Sequence, residues 1–316
     1  MSLIQEIKSK MLGYGFVFSF KIRHRLVIFT ATLCILCVII FEELHYLESH
    51  PRTLVPVNKN MARPRCDMEL EIGPMCPKLY TDLGGMCEMG STGILCPDIR
   101  HKANTPLRQS QLVMTRMLRI FHLLATKHRI RYWLSAGTLL GAARHKGFIP
   151  WDHDVDIEMP LEDYIKFFKV ASRDLPDDIF FQNSFTDTNL LSNRPQDAVS
   201  PLHPEIGYYL NPMNHRLRDK ASCYGYCLLY DCKWHDGLMI DLFVSEKRSE
   251  DVFPLKEMEF EGFVFPVPKS WKGNLEENYG DDVLNIPEEA ENRKPILRPY
   301  PMKTCKTLAQ ETVEFE

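Results

Sequence analysis

The sequence lacks several features that would place it in a common functional class. Its formal net charge is −4 over 316 residues, so bulk electrostatics gives no reason to expect a nucleic-acid partner. It contains no Asn-x-Ser/Thr site in which x is not proline, so glycosylation does not indicate a compartment. No internal repeat occurs. The hydrophobic fraction of 45% and the charged fraction of 25% are those of a globular protein with one large or two modest domains.

A long uncharged hydrophobic run, LVIFTATLCILCVIIF, occupies residues 26–41. As a helix it would be about 24 Å long at ~1.5 Å per residue, which suits a thin bilayer. Basic residues precede the run and glutamates follow it, so the remainder of the chain is expected to cross the membrane. A cleaved signal peptide and a buried core helix are the alternatives. The long basic region and the missing small-residue cleavage site favour an uncleaved anchor behind a cytoplasmic tail, 1–25.

Ten cysteines are present, and all but Cys34 and Cys37 lie beyond the predicted anchor. An even set in a compartment beyond the membrane suggests disulfides, although spacing does not give their connectivity. Residues 42–106 are rich in proline and glycine and contain four of these cysteines, which predicts a lumenal stem with a cross-linked segment. A zinc knot is disfavoured there because close C-x2-C pairs are missing.

A second cysteine group has the spacing C-x3-C-x4-C-x2-H and comprises Cys223, Cys227, Cys232 and His235. This group could bind zinc through thiolates and an imidazole nitrogen. In an oxidising lumen, disulfides that include Cys305 as a fourth partner are favoured instead. Both alternatives remain open from the sequence.

Helices and strands interleave from residue 107 to the end, which predicts an α/β domain. Apolar residues recur at helical spacing from residue 107, and a second amphipathic helix is predicted at 161–175. We expect strands at 131–137, 148–160 and 238–244, a short helix at 138–147, and a hairpin followed by a helix at 260–280. The polar stretch 182–221 is expected to form loops.

Three carboxylates alternate along the predicted strand FIPWDHDVDIEMP, at Asp152, Asp154 and Asp156. Side chains two residues apart point to the same face of a strand, while His153 between them points to the other face. At ~5 Å and an effective dielectric constant of about 20, each neighbouring pair would repel by roughly 3 kcal/mol. A divalent cation removes this repulsion and prefers oxygen ligands. The alternative is an edge strand whose aspartates face water. The apolar residues Trp151, Val155 and Ile157 favour instead a strand that is mostly covered by the rest of the protein.

A further acid, Asp241, lies in the otherwise apolar stretch LMIDLFV. An unpaired carboxylate in such a buried strand would cost several kcal/mol, so the same cation is the simplest partner. Upstream, Gly137 and Thr138 stand where a strand turns into a helix, and backbone N–H groups there can bind phosphate. Arg144 could add a bidentate phosphate contact, and Trp151 could stack on a base or sugar, although a structural tryptophan is favoured.

These motifs resemble the LicD and fukutin-related family. The resemblance rests on G-T-L-L-G-A-x-R-H followed by G-F-I-P-W-D-x-D-x-D-I, with looser matches at 240–243, 263–268 and 278–282. It covers roughly residues 112–287. It implies a nucleotidyltransferase-like mixed sheet flanked by helices. It also implies transfer of a phosphorylated alcohol, of the ribitol phosphate or phosphocholine type, from a CDP-linked donor to a glycan hydroxyl. The anchor and stem suit the animal branch of this family, which acts in the Golgi.

The resulting hypothesis assigns Mg²⁺, or Mn²⁺, to Asp154, Asp156 and Asp241, with Asp241 or Asp152 accepting the proton of the acceptor hydroxyl. Many bacterial members have an acid where this chain has His153, and the alternation points His153 away from the cation. Two other functions remain. One is a Golgi glycosyltransferase that uses a nucleotide sugar and manganese, and the other is a non-catalytic partner of a transferase. In each case we expect a single-pass type II protein of the Golgi membrane, or of the ER, with its catalytic domain in the lumen.

Overall fold

The computed structural model describes residues 53–54, 66–70, 72–91, 93–183, 186–187, 215–229, 232–233, 235–286 and 298–313. The predicted tail, the predicted anchor at 26–41 and most of the first part of the predicted stem lie outside this set. Among the residues described, no helix combines the length and the apolar character needed to cross a membrane.

Short strands and longer helices alternate through the described residues. The strands are β1 (Thr53–Leu54), β2 (Glu69–Leu70), β3 (Gly73–Pro74), β4 (Glu88–Met89), β5 (Ile94–Leu95), β6 (Trp133–Leu134), β7 (Asp156–Met159), β8 (Ile179–Gln182), β9 (His215–Asp219), β10 (Cys223–Tyr224), β11 (Met239–Val244), β12 (Lys256–Phe260), β13 (Phe263–Val267) and β14 (Pro299–Tyr300). The α-helices are α1 (Pro106–Lys127), α2 (Ala136–His145), α3 (Leu161–Asp174), α4 (Ser249–Val252), α5 (Trp271–Tyr279) and α6 (Cys305–Val313).

A five-stranded mixed sheet in the order β6-β7-β11-β9-β8 forms the centre of the domain. Strands β7 and β11 are parallel, whereas the other three neighbouring pairs are antiparallel. The prediction of a mixed sheet with helices is therefore confirmed. Parallel neighbours need a long crossover, and the chain between β7 and β11 supplies it with α3, β8 and β9.

One face of this sheet is apolar and packs into the main core with α1. Its buried side chains come from three neighbouring strands or their immediate flanks: Val155, Ile157, Leu217, Ile240 and Leu242. Helix α1 begins as expected for its sequence, because the hydroxyl of Thr105 accepts the backbone N–H of Arg108 and Pro106 occupies the first turn. Each fully buried Leu, Ile or Met of this core contributes roughly 1.5–3 kcal/mol.

The predicted hairpin after β11 is confirmed, although its first strand starts at Lys256 rather than near residue 260. Strands β12 and β13 pair antiparallel around a two-residue turn, Glu261 and Gly262. Both turn residues have positive φ, 55° and 82°, as a tight hairpin turn of matching twist requires. Glycine is needed at the second position also because a Cβ there would lie 1.8 Å from the hydroxyl oxygen of Thr81.

Part of the predicted stem packs against the domain. Tyr80 is fully buried in the main core, its ring lies 5.8 Å from that of Phe263, and its backbone N–H donates to the carboxylate of Glu261 at 2.9 Å. Arg100 Nη2 donates to Asp219 Oδ1 at 2.9 Å. The packed body therefore extends upstream of residue 107, where the sequence placed the start of the catalytic domain. This segment is held against the domain by a few separate buried side chains. It has no regular periodicity from which the sequence could predict that packing.

All eight cysteines beyond the predicted anchor are paired, so the prediction of disulfides is confirmed. The pairs are Cys66–Cys76, Cys87–Cys96, Cys223–Cys305 and Cys227–Cys232. The third pair closes a long loop and attaches α6 to β10, whereas the other three are local.

Two secondary-structure predictions were wrong in position. Strand β7 begins at Asp156, so Asp152 and Asp154 lie in the chain that leads into the strand rather than within it. The stretch 182–221, predicted as loops, contains β9, which pairs with both β8 and β11.

Candidate active site

The two acidic segments meet where β7 and β11 run side by side. Asp241 is the register partner of Asp156, and its backbone N–H donates to the carbonyl of Val155 at 2.8 Å. Register partners in neighbouring strands point to the same face of the sheet. Asp241 is fully buried. The structure thus brings together two acids that are 85 positions apart in the sequence.

The alternation predicted around the first acids extends beyond the strand itself. Asp152, Asp154 and Asp156 are half-buried, while His153 and Val155 between them are buried. The carbonyl of His153 accepts the hydroxyl of Tyr224 at 2.8 Å, which ties the chain between the first two acids to β10. The three carboxylates therefore share the polar side of this segment, opposite the core.

Crowding of negative charge dominates the electrostatics of this face. Burial raises the pKa of Asp156, and the carboxylates of Asp154 and Asp241 raise it further. Burial and the neighbouring Asp154 likewise raise the pKa of Asp152. For Asp241, burial raises the pKa while the guanidinium of Arg216 opposes the rise. Asp152, Asp156 and Asp241 are therefore harder to ionise than an isolated carboxyl group unless positive charge is added.

The residues present fit a divalent cation of the magnesium type. The carboxylate oxygen Oδ2 of Asp241 is buried and has no hydrogen-bond partner within the part of the chain that the structure describes. Carboxylate oxygens are the ligands that Mg²⁺ and Mn²⁺ prefer. An orphaned buried acceptor beside Asp156 is the kind of group that a bound cation would satisfy.

The next acid along β7 provides a contrast. Glu158 accepts hydrogen bonds from Ser135 Oγ at 2.5 Å, Ser245 Oγ at 2.9 Å and Lys247 Nζ at 2.8 Å. Although burial acts to raise the pKa of Glu158, these contacts hold it below its usual range. Glu158 is therefore neutralised within the protein, which separates it from the three aspartates that precede it.

Helix α2 begins directly against the acids. A Cβ on Gly137 would lie 2.9 Å from Asp152 Oδ2, so glycine permits this close approach. The hydroxyl of Thr138 accepts the backbone N–H of Asp156 at 2.9 Å. The preceding Ala136 has φ of 44°, a left-handed conformation at the turn from strand to helix. The geometry suits the predicted phosphate turn, whose ligand contacts stay a prediction.

Arg144 and Trp151 have structural contacts. Arg144 is 9% exposed, and its Nη1 donates to the carbonyls of Val283 at 3.0 Å and Asn285 at 2.9 Å. It therefore ties α2 to the segment that follows α5. Trp151 packs against two hydrophobic clusters and meets the ring of His145 edge-on at 6.4 Å. These contacts favour structural roles, and the predicted phosphate and base contacts of these two residues stay predictions.

Two residues of the site were not identified from the sequence. Arg216 is fully buried on β9 opposite Asp241, and its Nε donates to Asp241 Oδ1 at 2.6 Å. Tyr279 ends α5 and is about half exposed. Its partial burial, together with nearby aspartates, chiefly Asp156, raises its pKa to about 12. Tyr279 belongs to the N-Y-G-D-D motif, which could have indicated it. No local pattern indicates that Arg216 is buried.

The second cysteine group is oxidised. Cys223 and Cys227 belong to different disulfides, although their sulfur atoms lie 3.4 Å apart. His235 Nε2 lies 3.2 Å from Asp187 Oδ2. Cysteine binds zinc as the thiolate, so these pairings favour disulfides, the alternative preferred from the sequence, over zinc at Cys223, Cys227, Cys232 and His235.

Comparison with known proteins is informative for the segment that contains the first acids. Residues 129–198 match the family model described as LicD/FKTN/FKRP, nucleotidyltransferase domain. The lipopolysaccharide cholinephosphotransferase LicD of Haemophilus influenzae is 50% identical over 64 residues, which is 20% of this chain and 24% of the relative. The ribitol 5-phosphate transferase FKRP of Homo sapiens is 65% identical over 34 residues, 11% of this chain and 7% of the relative. An uncharacterized protein of Rickettsia typhi is 46% identical over 59 residues, 19% of each chain.

The matched segments thus span about a quarter or less of the length of these relatives. The resemblance noted from the motifs is confirmed, and the match contains Gly137, Thr138 and the three clustered aspartates. Asp241 and Arg216 lie outside the residues that the family model covers.

Proposed function

We propose, from the LicD/FKTN/FKRP domain at residues 129–198, that this chain is a magnesium-dependent phosphotransferase. It moves a phosphorylated alcohol of the ribitol phosphate or phosphocholine type from a CDP-linked donor to a glycan hydroxyl. Two relatives support this class, since one is named a cholinephosphotransferase and the other a ribitol 5-phosphate transferase. The single observation that carries the proposal is the register pairing of the fully buried Asp241 with the half-buried Asp156 on an acid-rich face.

The cation would be held by Asp154, Asp156 and Asp241 and would offset negative charge on the donor diphosphate. The first backbone N–H groups of α2, around Gly137 and Thr138, have no partner within the helix and can bind phosphate oxygens. Thr138 also holds the backbone of Asp156, so phosphate binding and acid placement share one residue. Positioning of this kind is the main contribution a protein makes to phosphoryl transfer.

Proton transfer is assigned to Asp152. Asp241 has one carboxylate oxygen engaged by Arg216, whereas Asp152 lies beside Gly137 at the start of α2. Asp152 is also not one of the three proposed cation ligands, so its carboxylate remains able to accept the proton of the acceptor hydroxyl. Tyr279 stays protonated because its pKa is about 12, so its hydroxyl can donate a hydrogen bond to bound substrate.

We place this activity in the Golgi lumen, behind a type II anchor at residues 26–41. The basic flank before the run and the acidic flank after it support this orientation. The four disulfides formed by the eight cysteines beyond the run agree with an oxidising compartment.

The test is a donor panel with the purified full-length chain in detergent. CDP-ribitol, CDP-choline and a set of nucleotide sugars are each incubated with Mg²⁺ and a glycan acceptor, and products are identified by mass spectrometry. We expect the added mass of a phosphorylated alcohol. The double variant Asp154→Asn, Asp156→Asn should lower the transfer rate by about 100-fold or more.

The matched control is Glu158→Gln, which changes the next acid on the same face but one that Lys247 already neutralises. It should retain most of the activity. Transfer of a bare sugar would instead identify a glycosyltransferase. Failure of the folded chain to bind any CDP compound would favour a non-catalytic partner. Full transfer by the double variant would exclude the assigned cation site.

A further inference from the structure

Arg216 occupies a defined place in a polar row across the sheet. In register, the row runs from Asp156 on β7 to Asp241 on β11, Arg216 on β9 and Gln182 on β8. Apart from Asp156, its members are fully buried. Strand pairing fixes the backbone of Arg216 from both sides, so its guanidinium is held beside Asp241 by the fold itself.

The contact with Arg216 makes the two oxygens of Asp241 different, because it engages one of them and not the other. Oδ1 accepts the N–H of Arg216 Nε at 2.6 Å, while the buried Oδ2 has no hydrogen-bond partner in the described portion of the chain. A charge-assisted hydrogen bond at this distance between two buried groups is among the strong ones in proteins. A cation on this face therefore meets one available oxygen of Asp241.

We propose that Arg216 is a positioning residue that restricts Asp241 to one-oxygen coordination and thereby selects a small octahedral cation over Ca²⁺. The inference rests on the proposed function, because it concerns the same cation. Ca²⁺ takes six to eight oxygens and commonly uses both oxygens of a carboxylate. Mg²⁺ takes six ligands in near-ideal octahedral geometry, keeps several waters and needs one oxygen from each carboxylate.

Arg218 provides a matched control on the same strand and the same face. It is also fully buried, and its positive charge acts on Asp241 in the same direction as that of Arg216. Its hydrogen bonds, however, go to Gln182 Oε1 at 2.9 Å, Tyr226 and the carbonyl of Gly237. Arg218→Gln therefore removes a nearby positive charge while the bond to Asp241 Oδ1 is kept.

The experiment measures binding of Mg²⁺ alone and Ca²⁺ alone to the metal-free full-length chain by isothermal titration calorimetry, for the wild type, Arg216→Gln and Arg218→Gln. Loss of either arginine should tighten the binding of both cations, because a repelling charge is gone. Only Arg216→Gln should raise the ratio of Ca²⁺ to Mg²⁺ affinity, because both oxygens of Asp241 then become available to Ca²⁺. We expect a rise of about tenfold or more, the size of effect that outer-shell residues have on metal affinity.

An unchanged ratio in a folded Arg216→Gln chain, or an equal rise in Arg218→Gln, overturns the inference. If Arg216→Gln does not fold, the two affinities of the wild type decide. Tighter binding of Mg²⁺ supports the proposed restriction, and tighter binding of Ca²⁺ contradicts it. The contradicting outcomes leave phosphotransfer by the wild type intact and so refute the role of Arg216 alone. A wild-type chain that binds neither cation removes the cation site, and with it the proposed function.

Discussion

Glu261 is expected to be one of the most sensitive positions for stability in this domain. Its carboxylate is 1% exposed and accepts four hydrogen bonds from three separate segments. Arg108 Nη2 and Nη1 donate at 2.7 and 2.9 Å, the backbone N–H of Tyr80 donates at 2.9 Å, and that of Phe148 donates at 3.4 Å. One side chain thus connects the hairpin turn, the start of α1, the cysteine-rich segment and the chain that leads to the acids.

We expect Glu261→Gln to lower the free energy of unfolding by about 3–5 kcal/mol, because it leaves a largely buried guanidinium without its counter-ion. Glutamine is the suitable replacement, since it keeps the size of the side chain and has no advantage over glutamate at the positive φ of this position. Urea denaturation of the full-length chain, followed by tryptophan fluorescence, measures the change through the transition midpoint.

The matched control is Glu259→Gln, two residues earlier on the same hairpin. Glu259 pairs with Lys146 at 3.0 Å, but the two side chains are 41% and 50% exposed. An exposed pair of this kind contributes about 0.2–1 kcal/mol. In the double variant Glu261→Gln, Arg108→Met, much of the loss should be recovered, because the buried charge is removed as well. If Glu261→Gln costs no more than Glu259→Gln, the reasoning is refuted.

Three further expectations follow from contacts near the site. Tyr224→Phe removes the hydrogen bond to the carbonyl of His153 and should cost about 1–3 kcal/mol of unfolding free energy while slowing transfer, measured by urea denaturation and the donor assay. Burial and the charge of Arg144 lower the pKa of His145 to about 3, below its unfolded value, so the folded state should lose stability as pH falls below about 6.5. Denaturation at several pH values should show that His145→Gln removes about 1.4 kcal/mol per pH unit of this slope, and an unchanged slope would contradict the pKa. Mg²⁺ at about 100 times its dissociation constant should add about 2.7 kcal/mol of stability in a thermal melt with and without chelator, and Asp241→Asn should abolish the gain.

Much of the architecture is encoded in local patterns. Apolar residues at helical spacing predicted α1, which the structure places at Pro106–Lys127. The single acid in LMIDLFV predicted a buried strand with a charge that needs a partner, and β11 with Asp241 is that strand. These elements are predictable because the residues that determine them are neighbours in the chain.

Elements stabilised by distant partners were missed for the corresponding reason. Strand β9 has the sequence HRLRD, in which two arginines read as exposed, because arginine is rarely buried without a partner. The partners exist, but they are Asp241, 25 positions away from Arg216, and Gln182, 36 positions away from Arg218. Tyr80 was likewise assigned to a stem. The carboxylate of Glu261, which accepts the backbone N–H of Tyr80, lies 181 positions further along the chain. The residue pattern within a short stretch of sequence carries no information about a contact partner that lies far outside that stretch.

The balance of charge on the polar face explains why the alternating aspartates are tolerated. If burial of Asp241 were only a structural matter, the ion pair with Arg216 would offset its charge, as Lys247 offsets the charge of Glu158, although Oδ2 of Asp241 would still lack a hydrogen-bond partner among the described residues. Three further carboxylates lie on the same polar face, and two such charges ~5 Å apart would repel by roughly 3 kcal/mol at an effective dielectric constant of about 20. A purely structural site gains nothing from this repulsion. A site that must bind a dication does gain, because the repulsion is released on binding and adds to the affinity.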